Sequence, residues 1–219
     1  MLDGLALAGA VVLVPVALGM VAWVAPVAQP EIGGIAQKIF YAHVPSAITA
    51  FLAFGTALVA GVAYLRTRAE RWDALGVASI EVGMLFCTLV VCTGPIWAKP
   101  VWGVYWNPEP RLLSFAVMWF TYAGYLILRG AMDAGARRAA VGAAYAVVAS
   151  INVPIVYLAV RLVPPASQLH PVKADLAAPW MRPTLYAMFA AFGALMVTLI
   201  SVRARLERAR LALACRTRT

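Results

Sequence analysis

The sequence predicts an all-α membrane protein: a bundle of six transmembrane helices, both termini cytoplasmic, with a Trp-rich loop on the outer side. Three observations carry that prediction. Of 219 residues, 63% are hydrophobic and 12% charged, whereas an average soluble domain is about 45–50% apolar and about 25% charged. One small soluble core cannot absorb that surplus, so the excess needs lipid as its solvent. Next, six runs approach the ~20 apolar residues that a spanning helix requires. Finally, basic residues fall unevenly on the two sides of those runs. Residues 1–219 therefore read as one integral membrane unit with no room for an independent soluble domain. A soluble enzyme, a disulfide scaffold and a disordered chain are all disfavoured.

The first run, 5–27, resembles a signal peptide only in its small residues Ala25 and Ala28. It lacks a basic n-region, is long for an h-region and closes on no clean cleavage site, so it is read as a retained span. The second, 44–65, follows Tyr41-Ala-His43-Val-Pro45. Proline favours the first helical position, so Pro45 is expected to open this span and to hold His43 on a fixed stalk at the membrane surface. The third, 75–96, carries Glu81, an intramembrane carboxylate and so a functional suspect, though near enough to the interface to reach water or an arginine. Cys87 and Cys92, in the same run, are read as small core residues. With Cys215 in the tail they build no disulfide framework, and no C-x-x-C-H haem-attachment motif occurs. The fourth and fifth runs are 112–128 and 139–160; the sixth, 184–202, leads into a basic tail, Arg203 to Arg210, that extends the helix as a positive anchor.

The loop charges give the orientation. After the second, fourth and sixth runs come Arg66, Arg68 and Arg71; Arg129, Arg137 and Arg138; and Arg203, Arg205, Arg208, Arg210, Arg216 and Arg218. The other side holds half as many: Lys38, Lys99, Arg111, Arg161, Lys173 and Arg182. That bias puts both termini in the cytoplasm. The net charge of +9 is thus a topology signal and not a nucleic-acid footprint. No Gly-Lys-Ser/Thr loop for nucleotide phosphates is present, so any ATP hydrolysis belongs to another subunit.

The outer side is the chemically unusual one. Its loops, 28–43, 97–111 and 161–183, are longer than tight helix connections need. Both histidines lie there, His43 and His170, with Trp97, Trp102, Trp106 and Trp180; Trp23 sits near the outer end of the first span. Only Trp72 is clearly cytoplasmic, and Trp119 falls within a span. Trp102, Tyr105 and Trp106 are spaced to share one face of a helical turn, and Gly103 leaves room for close approach. Two readings fit. One is an interfacial aromatic belt with ordinary surface histidines, although a belt belongs at both interfaces. The other is a π-rich platform for a planar hydrophobic ligand, with Arg111 as an anion partner and the histidines as axial ligands of haem iron. A closed zinc site would want four ligands, and cysteines are missing from this face.

Trp102-Gly-x-x-Trp106 with Glu109-x-Arg111 resembles the tryptophan-rich "WWD" signature of haem-handling proteins in cytochrome c assembly, and Tyr41-x-His43-Val-Pro45 resembles the segment bearing their first haem-ligand histidine. Length and span number are similar to the haem exporter protein C (CcmC) branch. Where that family usually has aromatic, aromatic and Asp, this chain has Tyr105, Pro108 and Glu109; ring and charge are kept at two of the three positions. The resemblance implies a non-enzymatic protein of the bacterial cytoplasmic (inner) membrane that binds haem b as transient cargo on its periplasmic face. His43 and His170 would ligate iron, and Trp102, Trp106 and Tyr105 would stack on the ring. Gly103 would permit approach, while Glu109 and Arg111 orient the platform or meet a propionate. It also implies an ABC transporter ATPase and permease, a small one-span helper and a membrane-anchored haem chaperone as partners, in a lipid setting and without nucleic acid.

Two other readings stay open. A b-type cytochrome subunit would use the same histidines for electron transfer, but it usually holds haem inside the bundle. A cofactor-free transporter would show polar or broken helices at mid-membrane. Away from their ends these spans carry Pro15, Pro154 and Glu81 but no convergent charged set.

Overall fold

The computed structural model describes residues 2–30, 33–162, 164, 168–170 and 176–216. Lys173 and Arg218, counted above in the charge bias, lie outside them. Among the described residues all regular structure is helical: α1 (Leu2–Gly19), α2 (Phe40–Thr67), α3 (Glu70–Trp102), α4 (Pro110–Gly130), α5 (Ala136–Ala149), α6 (Asn152–Leu162) and α7 (Met181–Arg216). Six helical stretches are long and apolar enough to cross a membrane, α5 and α6 together making one. Large apolar side chains such as Leu5, Val11, Val59, Phe120 and Leu206 face outward, as a lipid-solvated surface demands.

The bundle is built around α2, α3 and α7. Where α2 and α3 meet, the interface is lined by alanines with no exposure, among them Ala50, Ala53, Ala57, Ala60, Ala74 and Ala78. Lipid tails are as apolar as side chains, so membrane helices associate by close backbone approach, which small residues permit. Gly83 of α3 has that role at one point: a Cβ there would stand 2.6 Å from a ring carbon of Phe54. Phe54 in turn stacks on Tyr122 of α4, with ring centroids 3.7 Å apart and planes 3° from parallel.

Three helix ends differ from expectation. α2 begins at Phe40 and follows a tight 3₁₀ stretch, Gly34–Ile39, so His43 stands within the helix and Pro45 is interior to it. The expected Pro45 start does not occur, because the 3₁₀ turns already supply the helix nucleus upstream. α3 runs six residues past the expected limit, through Pro95 and Pro100, to Trp102. It stops where Gly103 adopts φ +76° and donates its N–H to the Lys99 carbonyl at 3.0 Å, a left-handed C-terminal cap. The fifth span is broken. Pro154 has no N–H to offer the Ser150 carbonyl, and the chain turns at Ser150–Ile151. There Ser150 Oγ donates to the Val147 carbonyl (2.6 Å) and Asn152 Nδ2 to that of Ala149 (3.1 Å). In consequence α5 packs chiefly on α2 and also meets α4, and α6 packs on α4.

At the C-terminal end of α1 the helix widens into a π turn, Met20–Val24, in which Ala25 N–H reaches back to the Met20 carbonyl. Lys38 Nζ donates to the Ala22 carbonyl at 2.8 Å, which ties this end to the 3₁₀ stretch. The opposite, basic end of the bundle holds an ion network. Arg129 of α4 grips Asp73 of α3 with two bonds of 2.8 and 2.7 Å. Glu207 of α7 lies 3.8 Å from both Arg129 and Arg138 and 3.0 Å from Arg203. Arg203 donates to Glu81 at 2.9 Å. Glu81 is therefore a member of this network. Cys87 is buried as expected; Cys92 is exposed on α3 and is not a core residue.

Candidate functional site

The histidines meet at the end of the bundle away from that network. His43 projects from the first turns of α2, and His170 comes from the segment leading into α7. Their ring centroids stand 6.5 Å apart, with planes 35° from parallel. Two imidazoles bound to one metal from opposite sides, at about 2.0 Å each, have centroids about 6.3 Å apart. The pair thus has the spacing of axial ligands. Among the described residues no group of three or more His, Cys, Asp or Glu is placed to hold a metal ion. Two protein donors suit a metal that brings its remaining ligands with it, as a metalloporphyrin does.

Each histidine has a polar partner. His43 Nδ1 lies 2.9 Å from Thr93 Oγ1 on α3. The Thr93 hydroxyl back-bonds to the Leu89 carbonyl at 2.7 Å. With its one proton committed there, Thr93 accepts from His43 Nδ1–H, which assigns the tautomer with a lone pair on Nε2. Gly94 lies against the same ring, where a Cβ would stand at ordinary contact distance, 3.5 Å, from His43 Cε1. His170 is held differently. Arg111 Nη1, at the start of α4, donates to His170 Nδ1 at 3.1 Å. Glu109, only 3% exposed, accepts through Oε2 the backbone N–H groups of Leu169 (2.8 Å) and His170 (3.3 Å). Its Oε1 is buried without a hydrogen-bond partner.

Aromatic rings stand beside His170 in an arrangement other than the predicted one. The Trp97 and Trp102 centroids each lie 6.3 Å from the His170 ring, and the two indoles meet edge to face at 5.2 Å. Trp97 Nε1 donates to Gln37 Oε1 at 2.8 Å, which fixes the indole against the 3₁₀ stretch. Tyr105 and Trp106 do not share a helical face with Trp102, because α3 ends at that residue and the chain turns at Gly103. Both are exposed, Tyr105 beneath the Lys99 ammonium at 5.3 Å. Gly103 is required by its positive φ; a Cβ there would meet nothing. Trp23 and Trp180 are also exposed.

Of the eight residues expected to form the site, the structure brings together His43, His170, Trp102, Glu109 and Arg111, and leaves Gly103, Tyr105 and Trp106 on the rim. The sequence reading passes over Thr93, Gly94 and Gln37 and counts Trp97 only as part of an aromatic cluster. Their signal was available: Thr93 and Trp97 are four apart, so a third span continued past Pro95 puts both on one face.

Comparison with known proteins bears on what such a site serves. A sequence profile described as "Heme exporter protein C" matches residues 3–218. The chain is 32% identical over 170 residues to the "Heme exporter protein C" of Bradyrhizobium diazoefficiens, a match covering 76% of this chain and 64% of that protein. It is 30% identical to that of Haemophilus influenzae, covering 80% of this chain and 72% of the relative. With that of Paracoccus denitrificans the identity is 29%, covering 80% and 74%.

Proposed function

Starting from the fact that this chain belongs to the heme exporter protein C family, we propose that it binds haem b as transient cargo between His43 and His170. It then delivers that haem to a membrane-anchored chaperone for cytochrome c maturation. The observation that carries the reading is the histidine pair: residues from opposite ends of the chain stand at the separation of two axial ligands, 6.5 Å between centroids. Beside them are indole faces for a planar macrocycle and a guanidinium for its carboxylates. Burying porphyrin against aromatic carbon gains hydrophobic free energy, and the polar handles fix its orientation.

In this reading His43 offers Nε2 to iron while Thr93 holds the opposite ring nitrogen, which orients the imidazole and raises its basicity. Two axial imidazoles fill both open positions on the iron and limit oxygen chemistry while the cargo is held. Handoff requires at least one of them to let go. The site faces the periplasm in the orientation that the charge bias gives. The chain has no nucleotide loop, so the energy for release comes from an ABC transporter ATPase and permease, joined by a one-span helper.

The test is an absorption spectrum of detergent-purified protein from haem-replete cells, with haem quantified as its pyridine complex. A low-spin bis-imidazole spectrum is expected in the wild type, turned high-spin or lost in His43→Ala and in His170→Ala. Haem that exchanges to a soluble acceptor marks handling; haem that does not exchange favours an electron-transfer subunit. A haem-free wild type, unaltered by either substitution, overturns the proposal.

A further inference from the structure

The two histidines differ in readiness, and the difference lies in their hydrogen bonds. On His43 the Thr93–Leu89 relay leaves Nε2 with its lone pair. On His170 the lone pair at Nδ1 accepts a hydrogen bond from the Arg111 N–H, at 3.1 Å. A guanidinium is a donor only, so while this bond stands the ring's own proton is on Nε2. In that tautomer neither nitrogen of His170 has a free lone pair for iron. A second oddity lies beside it. Glu109 spends one carboxylate oxygen on the backbone of Leu169 and His170, and its other oxygen is buried with no partner. A buried acceptor without a donor calls for an explanation.

We propose that Arg111 is a latch on the second axial ligand. A carboxylate on the incoming ligand draws the guanidinium off His170 Nδ1, and the ring then changes tautomer, giving Nδ1–H to the waiting Glu109 Oε1 and freeing Nε2 for the metal. The inference rests on the haem reading above and goes beyond it: porphyrin carboxylates become the condition for six-coordination and not merely extra contacts. Protons balance. One leaves Nε2 to solvent and one enters at Nδ1, the imidazole stays neutral, and the guanidinium keeps its charge. One bond forms, from Nε2 to iron, in the position opposite His43. The finished arrangement is carboxylate, histidine, metal, in which an outer acceptor fixes the tautomer of the ligand. Arg111 and Glu109 act through His170 and are positioning residues. The logic also gives an order, with His43 binding first and His170 second.

The experiment compares two porphyrins that differ only at the carboxylates. Purified full-length protein in detergent is saturated with ferric haem or with its dimethyl ester, and the spin state is read from the visible spectrum. With the wild type, haem is expected to give the six-coordinate low-spin form, and the ester a five-coordinate high-spin form that disappears in His43→Ala. In Arg111→Ala the ester is expected to become low-spin, because the guanidinium N–H no longer occupies His170 Nδ1. Glu109→Gln keeps one acceptor oxygen for the backbone but puts an NH₂ where Oε1 was; its haem complex is expected to shift toward high spin. A wild type that is as fully low-spin with the ester as with haem overturns the latch, and this arm needs no variant to fold. So does an Arg111→Ala protein that stays high-spin with the ester. If the wild type binds neither porphyrin, the haem reading itself fails and takes the latch with it, an outcome distinct from the other two.

Discussion

Thr93 shows how a neighbouring side chain sets the tautomer of His43. Its hydroxyl proton goes to the Leu89 carbonyl, so its oxygen receives His43 Nδ1–H. Thr93→Val keeps the shape and removes the acceptor. Loss of such an outer partner typically weakens metal binding about 10–100-fold, and haem affinity, measured by titration in detergent, is expected to fall within that range while Thr93→Ser stays near wild type. Equal affinity in the valine variant would remove Thr93 from the site. At this scale the sequence was only partly legible. His43, His170, Glu109 and Arg111 could be picked out because titratable and basic groups are scarce in so apolar a chain. Thr93 showed only a spacing of four from Trp97, and Gln37 showed nothing, since a threonine or glutamine gains its role from a partner distant in sequence. For Tyr105 and Trp106 the spacing was sound but its premise, an unbroken helical turn, failed at Gly103.

Among the helices, the tightest constraint is the seat that Gly83 makes for the Phe54–Tyr122 stack. Gly83→Ala would drive a methyl group to 2.6 Å from Phe54, and overpacking of this kind costs about 1–3 kcal/mol. Thermal unfolding in detergent is expected to show that loss. Gly55→Ala, on the same pair of helices, is the control: a Cβ there meets nothing within 4 Å, so the higher helix propensity of alanine is expected to leave stability unchanged or slightly raised. The spans themselves were legible because lipid sets their length and apolar content. Their ends were not. Pro95 and Pro100 look like terminators, but membrane helices tolerate proline when neighbours re-satisfy the freed backbone groups. Pro154, three residues into α6, does interrupt its span, with Ser150 and Asn152 side chains taking over the loose carbonyls.

Taken whole, the molecule has a bonded end and a binding end. Four helices converge on the network of Asp73, Glu81, Arg129, Arg138, Arg203 and Glu207. Removing one partner of a buried pair leaves a stranded charge, at about 3–5 kcal/mol. Arg129→Met is therefore expected to lower the unfolding temperature sharply, and the double variant Asp73→Leu/Arg129→Met to recover part of the loss; an equal or greater loss in the double variant would show that the pair is not the source. Orientation is tested separately. A cysteine replacing Tyr105 is expected to react with a membrane-impermeant thiol reagent in spheroplasts, and one replacing Asp133 only after lysis. The charge bias is what predicts this polarity, because Lys and Arg concentrate on the cytoplasmic side of a membrane protein. The sequence could not reveal that arginines on that face are partly consumed in buried pairs.

The break at Ser150–Ile151 has a mechanical corollary. His43 and Thr93 sit on α2 and α3, which share the alanine-lined interface, whereas Arg111 and Glu109 belong to α4, against which α6 packs. The interruption lets α5 pack chiefly on α2 while also meeting α4 through Tyr145, and lets α6 pack on α4. The elements that carry His43 and Thr93 and those that hold His170 through Arg111 and Glu109 are thus bridged by a fifth span that is jointed and not continuous. Pro154→Ala is expected to stiffen that joint, slowing haem exchange to a soluble acceptor without altering the spectrum of the loaded protein. A swing at such a joint would move α4 and α6 while leaving the closely packed alanine seam between α2 and α3 shut.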